Sequence, residues 1–194
     1  MHLGHGMSRI SSRAVLLGNF GIKIIECDET RLAEAMLTIF NEVIATSTAL
    51  YDYQPRTPTV MKTWFEAKRK GNYPVVGAED SSGQLLGFAS FGAFRAWPAY
   101  KYSVEHSVYV DAPFRGCGVG RALLHRIVEL AQDKDYHVLI GGIDTENKAS
   151  IALHESLGFV HCATVHQVGF KFGRWLDLSF YQLILPTPLQ PMDG

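Results

Sequence analysis

No stretch of this 194-residue chain approaches the roughly 18 consecutive apolar residues that a membrane-spanning helix requires, so no membrane partner is expected. Cysteine is scarce. Cys27, Cys117 and Cys162 are the only three; they cannot all pair internally, and their spacing suggests neither a zinc cluster nor a disulfide framework. No bound metal is expected, and a reducing cytoplasm is the expected compartment. A dominant charge is missing as well. Eighteen basic against nineteen acidic residues leave a net charge of −1, which argues against a nucleic-acid partner. There is no internal repeat and no linker that would divide the chain into two domains.

Residues 1–20 place His2, His5, Arg9 and Arg13 before Ala14-Val15-Leu16-Leu17, the basic-then-apolar order of a signal peptide. That apolar core is too short, and no small-residue cleavage site follows it. The stretch reads as an N-terminal extension, disordered or a start-site artefact. Residues 21–186 read as one domain, and 187–194 as a proline-rich tail expected to fray. With 47% hydrophobic and 19% charged residues, the composition is that of an ordinary globular protein large enough to bury a core.

What is present alternates between two periods. Ile22 to Ile25 reads as a strand, and Asp28 or Thr30 as the cap of a helix whose Leu32, Met36, Ile39, Phe40, Val43 and Ile44 fall on one face. The polar, aromatic-rich connection from Ser47 to Thr59 is either a substrate wall or a loop packed on the core. A second helix covers Val60 to Lys70. Strands follow over 73–79, 84–92 and 103–110, the first two joined by the Asp80 to Gly83 turn. Ala122, Leu123, Ile127, Leu130 and Ala131 form the inner stripe of a third helix. A buried-type strand over 137–143, a short helix over 150–157 ended by Gly158, and two strands around Gly173 complete the chain.

The organising stretch is Glu105 to Arg121, a strand followed by Gly116, Gly118 and Gly120 and then a helix. Alternating glycines at a helix start let backbone N–H groups and the positive dipole end converge on an anion. A P-loop needs Lys and then Ser or Thr after its last glycine, whereas Arg121-Ala122 stands here. A dinucleotide fingerprint needs two residues between its second and third glycines, and here there is one.

Arg115-x-x-Gly118-x-Gly120 after a valine-rich strand resembles the coenzyme A loop of the GNAT superfamily of N-acetyltransferases. Asn147-x-x-Ser150 with Leu153-His154-Glu155-x-x-Gly158-Phe159 resembles that superfamily's following segment. Three further tracts look like the phosphinothricin and methionine sulfoximine N-acetyltransferases: Ala89 to Gly92 with Arg95, Tyr102 to Val110, and Gly173 to Leu178. The resemblance implies an α/β fold with a mixed, mostly antiparallel twisted sheet flanked by helices. It implies acetyl-CoA as co-substrate, a small amino-acid-like acceptor with a free α-amino group, and a homodimer. Acetylation of a peptide N-terminus or an aminoglycoside is the alternative within the enzyme class. A non-catalytic acyl-CoA-binding module is the alternative outside it.

Residue by residue, the resemblance makes Glu105 the general base that takes the ammonium proton, against a salt-bridged strand-edge glutamate. Arg95, Ala96, Trp97, Glu105, His106 and Ser107 match the acceptor segment. Strict alternation puts Ser107 on the face of Glu105 and His106 on the other, unless a bulge intervenes. His106 is thus either a ligand contact or a satisfied structural histidine. Val108, Tyr109 and Val110 are expected to offer backbone groups to the pantetheine arm, where a bulge would splay the sheet and admit the thioester. Arg115, Gly116, Cys117, Gly118, Val119, Gly120 and Arg121 are expected around the pyrophosphate, and Asn147 and Ser156 nearby. Many superfamily members carry a tyrosine where this chain has His154. His154 is then either the proton donor to the departing thiolate or a helix histidine bonded to a carbonyl. Cys117 belongs at the diphosphate rather than at the thioester, which argues against an acetyl-cysteine intermediate. Lys171, Arg174, Trp175 and Asp177 belong to the same signature without a derivable role.

Overall fold

The computed structural model describes residues 14–17 and 20–193. Its eight strands form one sheet in the order β1-β2-β3-β4-β5-β6-β8-β7. They are β1 Ala14–Leu17, β2 Phe20–Glu26, β3 Val75–Glu79, β4 Leu85–Ala93, β5 Ser103–Val110, β6 Val138–Asp144, β7 Val160–Lys171 and β8 Arg174–Ile184. Every neighbouring pair is antiparallel except β5 and β6. A parallel pair needs a crossover, and α3 Val119–Asp133 supplies it. The mixed, mostly antiparallel sheet expected from the sequence is therefore the architecture found. β1 lies inside the stretch read as an extension and pairs with the edge of β2; residues 1–13, 18–19 and 194 lie outside the described residues.

The helices cover both faces because each carries one apolar stripe. α1 Glu29–Thr46 starts where Asp28 accepts from the Thr30 N–H at 2.8 Å, satisfying one of the free donors at the helix start. α2 Pro58–Lys70 begins two residues earlier than the apolar pattern indicates, since Thr57 caps it and Pro58 fits the first turn. These two helices bury Met36, Phe40, Val43, Met61 and Phe65 against Phe88 and Tyr109 of the sheet. On the other face Leu123, Leu124 and Ile127 of α3 meet Phe91, Val104 and Leu139. α4 Lys148–Glu155 follows β6 and is capped by Asn147. The carbonyl ends of β5 and β6 thus lie between the two helical layers, with α3 and α4 beginning beside them.

The C-terminal segment is tied down where fraying was expected. Thr187 Oγ1 donates to the Tyr136 carbonyl at 2.6 Å, and the Met192 N–H donates to the Tyr102 hydroxyl at 3.1 Å.

Candidate active site

The site is built on a sheet that comes apart. β5 and β6 pair only over Ser103↔Val138, Val104↔Leu139 and Glu105↔Ile140. On its other side β5 stays in register with β4 from Val104 to Val110, so the expected bulge is absent from that ladder. Side chains open the gap instead. The His106 ring enters it, with Nδ1 2.7 Å from the Ile140 carbonyl oxygen. Facing it, Gly141 and Gly142 provide the space: a Cβ on Gly141 would stand 2.8 Å from His106 Cε1, and one on Gly142 3.3 Å from Glu105 Oε1. From His106 to Val110 the outer edge of β5 has no strand partner, and unpaired backbone groups there need a ligand or water. A cleft of about 1130 Å³ follows this edge, from the loop after α1 to the start of α3.

Alternation along β5 holds as expected. Glu105 and Ser107 share the face of Tyr109, which packs under α1, while His106 shares the opposite face with Val104. All of Glu105 to Val110 nevertheless line the cleft, because a gap in a sheet is open to both of its faces. Glu105 is half-buried, and desolvation raises its pKa while the Arg95 charge pulls the other way. A carboxyl so placed is a stronger base toward an ammonium than one in water. His154 is buried, with Nδ1 2.7 Å from the Ser150 carbonyl oxygen and Nε2 2.8 Å from His106 Nε2. The carbonyl bond read as one alternative for His154 is present, and so is its place on the cleft wall.

At the other end of the cleft α3 begins at Val119, so Gly120 lies inside its first turn rather than before it. Gly118 is its N-cap at φ +85°, a left-handed conformation costly for any residue with a Cβ, and no side chain caps the helix. Gly116, Gly118 and Gly120 all face the cleft, whereas the Val119 side chain is buried in the core and Cys117 is exposed outside the wall. Arg115 and Arg121 line the cleft but are already engaged. Arg115 Nε donates to the Val110 carbonyl at 3.0 Å and its guanidinium pairs with Glu42; Arg121 donates to the Ser156 hydroxyl at 2.7 Å. Ser156 thus meets the cleft only through Arg121. Asn147 lines the wall and spends its carbonyl oxygen on the Ser150 N–H at 3.1 Å, leaving its NH2 group for a ligand.

Arg95, Ala96 and Trp97 lie in the exposed loop between β4 and β5, outside the cleft wall of the single chain. Arg95 stacks on Phe94 at 4.1 Å and reaches the site through its charge on Glu105; Trp97 is 73% exposed. Not every residue of the wall was singled out in the sequence. Lys68 of α2 lines the cleft, donates to the Phe91 carbonyl at 2.8 Å, and is pushed by burial to a pKa of about 8. Arg174 faces the cleft too, 2.9 Å from Glu146 and 3.7 Å from Asp144 Oδ2, a buried oxygen with no hydrogen bond. Asp177 receives the Gln167 N–H and the His166 ring at the irregular middle of β7. No sequence signal marks Lys68, since its partner lies on another element.

The arrangement combines a partly desolvated carboxylate, an open strand edge and an uncapped helix start along one cleft. It fits an extended, amide-bearing thioester ending in phosphates, laid beside an amine near Glu105.

Known proteins agree. The model of the acetyltransferase (GNAT) family matches residues 36–159. The L-amino acid N-acyltransferase MnaT of Escherichia coli is 43% identical over 81% of this chain and 91% of its own length. The L-methionine sulfoximine/L-methionine sulfone acetyltransferase of Pseudomonas aeruginosa is 41% identical over 80% and 91%. Among solved structures, an acetyltransferase of Acinetobacter baylyi superposes with a TM-score of 0.89 at 50% identity, over 92% of this chain and 100% of its own. One from Salmonella typhimurium, solved with its cofactor acetyl-CoA, gives a TM-score of 0.81 at 40% identity over 84% and 93%.

Proposed function

The chain belongs to the GNAT acetyltransferase family, and we propose that it acetylates the α-amino group of a small amino-acid analogue, such as methionine sulfoximine or phosphinothricin. The observation that carries this reading is the β5–β6 gap with Glu105 at its apex. An amine delivered there meets a carboxylate on one side and the open strand edge on the other. Acetyl-CoA, when bound, supplies the activated acetyl carbonyl and a thiolate leaving group.

The chain's own residues do the rest. An ammonium has no lone pair, so Glu105 takes its proton, directly or through a water. The freed amine then attacks within a ternary complex. The β5 edge from Val108 to Val110 orients the thioester arm, and the free N–H groups at the start of α3 meet the phosphates. His154 stands beside the point where the strands part and protonates the thiolate. A thiol of pKa near ~8.5 is a modest leaving group and needs only this much help.

We further propose a cytoplasmic homodimer. Cys27, Cys117 and Cys162 are all free, as in a reducing compartment. No helix among the described residues is long and apolar enough to cross a membrane. The β7–β8 hairpin exposes Val165, Val168, Phe170, Phe172 and Trp175, a patch that a second copy would cover.

The deciding experiment measures release of free coenzyme A from acetyl-CoA against methionine sulfoximine, phosphinothricin, ordinary amino acids and short peptides. Turnover of the first two is expected; no turnover of any α-amino acid analogue overturns the acceptor assignment.

A further inference from the structure

The two histidines facing each other in the gap present a problem of hydrogen-bond accounting. His106 Nδ1 lies 2.7 Å from the Ile140 carbonyl oxygen, and His154 Nδ1 2.7 Å from the Ser150 carbonyl oxygen. A carbonyl oxygen only accepts, so both Nδ1 atoms must carry hydrogen. Flipping either ring would set a C–H where that bond is made. A neutral imidazole has one N–H, so two neutral rings would point two lone pairs at each other across the 2.8 Å between their Nε2 atoms. That contact is a hydrogen-bond distance, and it needs one proton.

We infer that His106 and His154 share a single proton between their Nε2 atoms, and that this pair, rather than His154 alone, is the acid that serves the departing thiolate. The inference rests on the acetyl-transfer reading of the cleft. His106 is then a positioning residue: it acts through His154 and stabilises the charged state of its neighbour.

Burial disfavours charge on both rings, so the hydrogen-bond geometry alone argues for the first proton and nothing argues for a second. Burial pushes the His106 imidazolium down to about 3, with the His154 charge adding to the effect, and burial lowers His154 as well. The two facing lone pairs oppose that tendency for the first proton only. Phe159 packs on both rings, at 5.3 Å from His106 and 5.1 Å from His154. Glu105 and Tyr109 on β5, Asp144 on β6, Lys148 and Glu155 on α4, and Arg174, Asp177 and Tyr181 on β8 are the other titratable and charged groups on the elements around the pair. None is hydrogen-bonded to either imidazole; the ring partners are Ile140, Ser150 and the rings themselves.

The proton balance closes. An acceptor ammonium loses two protons on becoming an amide. Glu105 takes the first and returns it to solvent. When the C–S bond breaks, its electron pair leaves on sulfur and takes the shared proton from the pair, giving the free thiol. The second nitrogen proton reloads the pair, so the enzyme ends each cycle in the state in which it began.

The test uses the full-length protein in two arms. In the first, NMR of ¹⁵N-histidine-labelled enzyme without substrate is expected to show two Nδ1–H signals and one shared Nε2 proton at neutral pH. Two neutral Nδ1–H tautomers with no shared proton overturn the inference, whether or not the enzyme turns over. In the second, His106→Gln keeps a donor for Ile140 and a weaker acceptor for His154. It is expected to lower kcat about tenfold and to move the alkaline limb of the kcat profile to lower pH, with the KM for acetyl-CoA little changed. A Gln variant with wild-type kcat and an unmoved limb means His106 only packs. Wild-type enzyme that transfers no acetyl group, yet shows the shared proton, defeats the reaction and leaves the pair standing.

Discussion

Lys171 Nζ donates to the Leu50 carbonyl at 2.6 Å, joining the β7–β8 hairpin to a loop 121 residues earlier in the chain. The same ammonium donates to Ile44 at 2.8 Å and Ser47 at 2.9 Å, so one buried cation satisfies the carbonyl end of α1 and shapes the loop that walls the cleft. Tyr53 adds a bond to the Phe170 carbonyl at 2.6 Å. The connection from Ser47 is therefore both things that its sequence left open, a packed loop and a cleft wall.

Lys171→Met should lower stability by about 2–3 kcal/mol, because it removes the shared donor of three carbonyls, of which the Ile44 bond is buried and the Ser47 and Leu50 bonds part-buried. Urea unfolding measures that loss. The acceptor KM should rise more than the acetyl-CoA KM, since the disturbed loop lies at the far end of the cleft from α3. Equal rises in both would argue that the wall is not an acceptor wall.

Glu105→Gln should reduce kcat by about a hundredfold or more near neutral pH while acetyl-CoA still binds. The pH signs are opposite for activity and stability. Activity needs the carboxylate, so it falls as pH drops through a pKa raised above the ordinary glutamate value. Stability runs the other way: the folded state holds the proton more tightly, so ionising Glu105 costs stability as pH rises from the unfolded to the folded pKa. Thermal melting at pH 7 should therefore find the Gln variant no less stable than wild type. A clear drop in melting temperature would mean that Glu105 is held by contacts that favour its charge.

Much of this was legible beforehand because it is local. Helix stripes and strand alternation repeat within a few residues, Asp28 caps the helix it precedes, and Gly158 takes the left-handed φ that ends its short helix. The facing of Glu105 and Ser107 followed from the two-residue period alone. What was not legible depends on elements distant in sequence. Lys68 meets a carbonyl 23 residues away, and Lys171 carbonyls more than 120 away. The gap comes from His106 entering beside Gly141 and Gly142, a match between two strands rather than a bulge in one. Phe172 and Gly173 form the hairpin turn at φ +51° and +74°, although phenylalanine carries no turn signal.

Lys68 gives a third test. Its folded pKa of about 8 lies below the ordinary lysine value of 10.5, so the unfolded chain binds the proton more tightly. Wild-type stability should rise with pH across the interval between those values, and Lys68→Met should flatten that rise. Because Lys68 lines the cleft on the face of Glu105, the substitution should also raise the KM of a carboxylate-bearing acceptor several-fold. An unchanged KM would remove Lys68 from acceptor binding and leave it as a buried tie to Phe91.

Gly142→Ala tests the geometry of the apex itself. A Cβ there would come within 3.3 Å of Glu105 Oε1 and 3.4 Å of Leu178 Cδ1, close enough to turn the carboxylate but not to unfold the sheet. Gly141→Ala is the harsher control, since its Cβ would stand 2.8 Å from His106 Cε1 and 3.1 Å from His154 Nε2. If Glu105 works by aiming at the amine, the milder variant should lose kcat while circular dichroism, melting and acetyl-CoA affinity stay near wild type. The harsher one should lose stability too, because the imidazole pair and the Ile140 bond must shift together. Loss of acetyl-CoA binding in Gly142→Ala would show that the glycine makes room for the thioester rather than for the base, and would move the base assignment away from this corner of the gap.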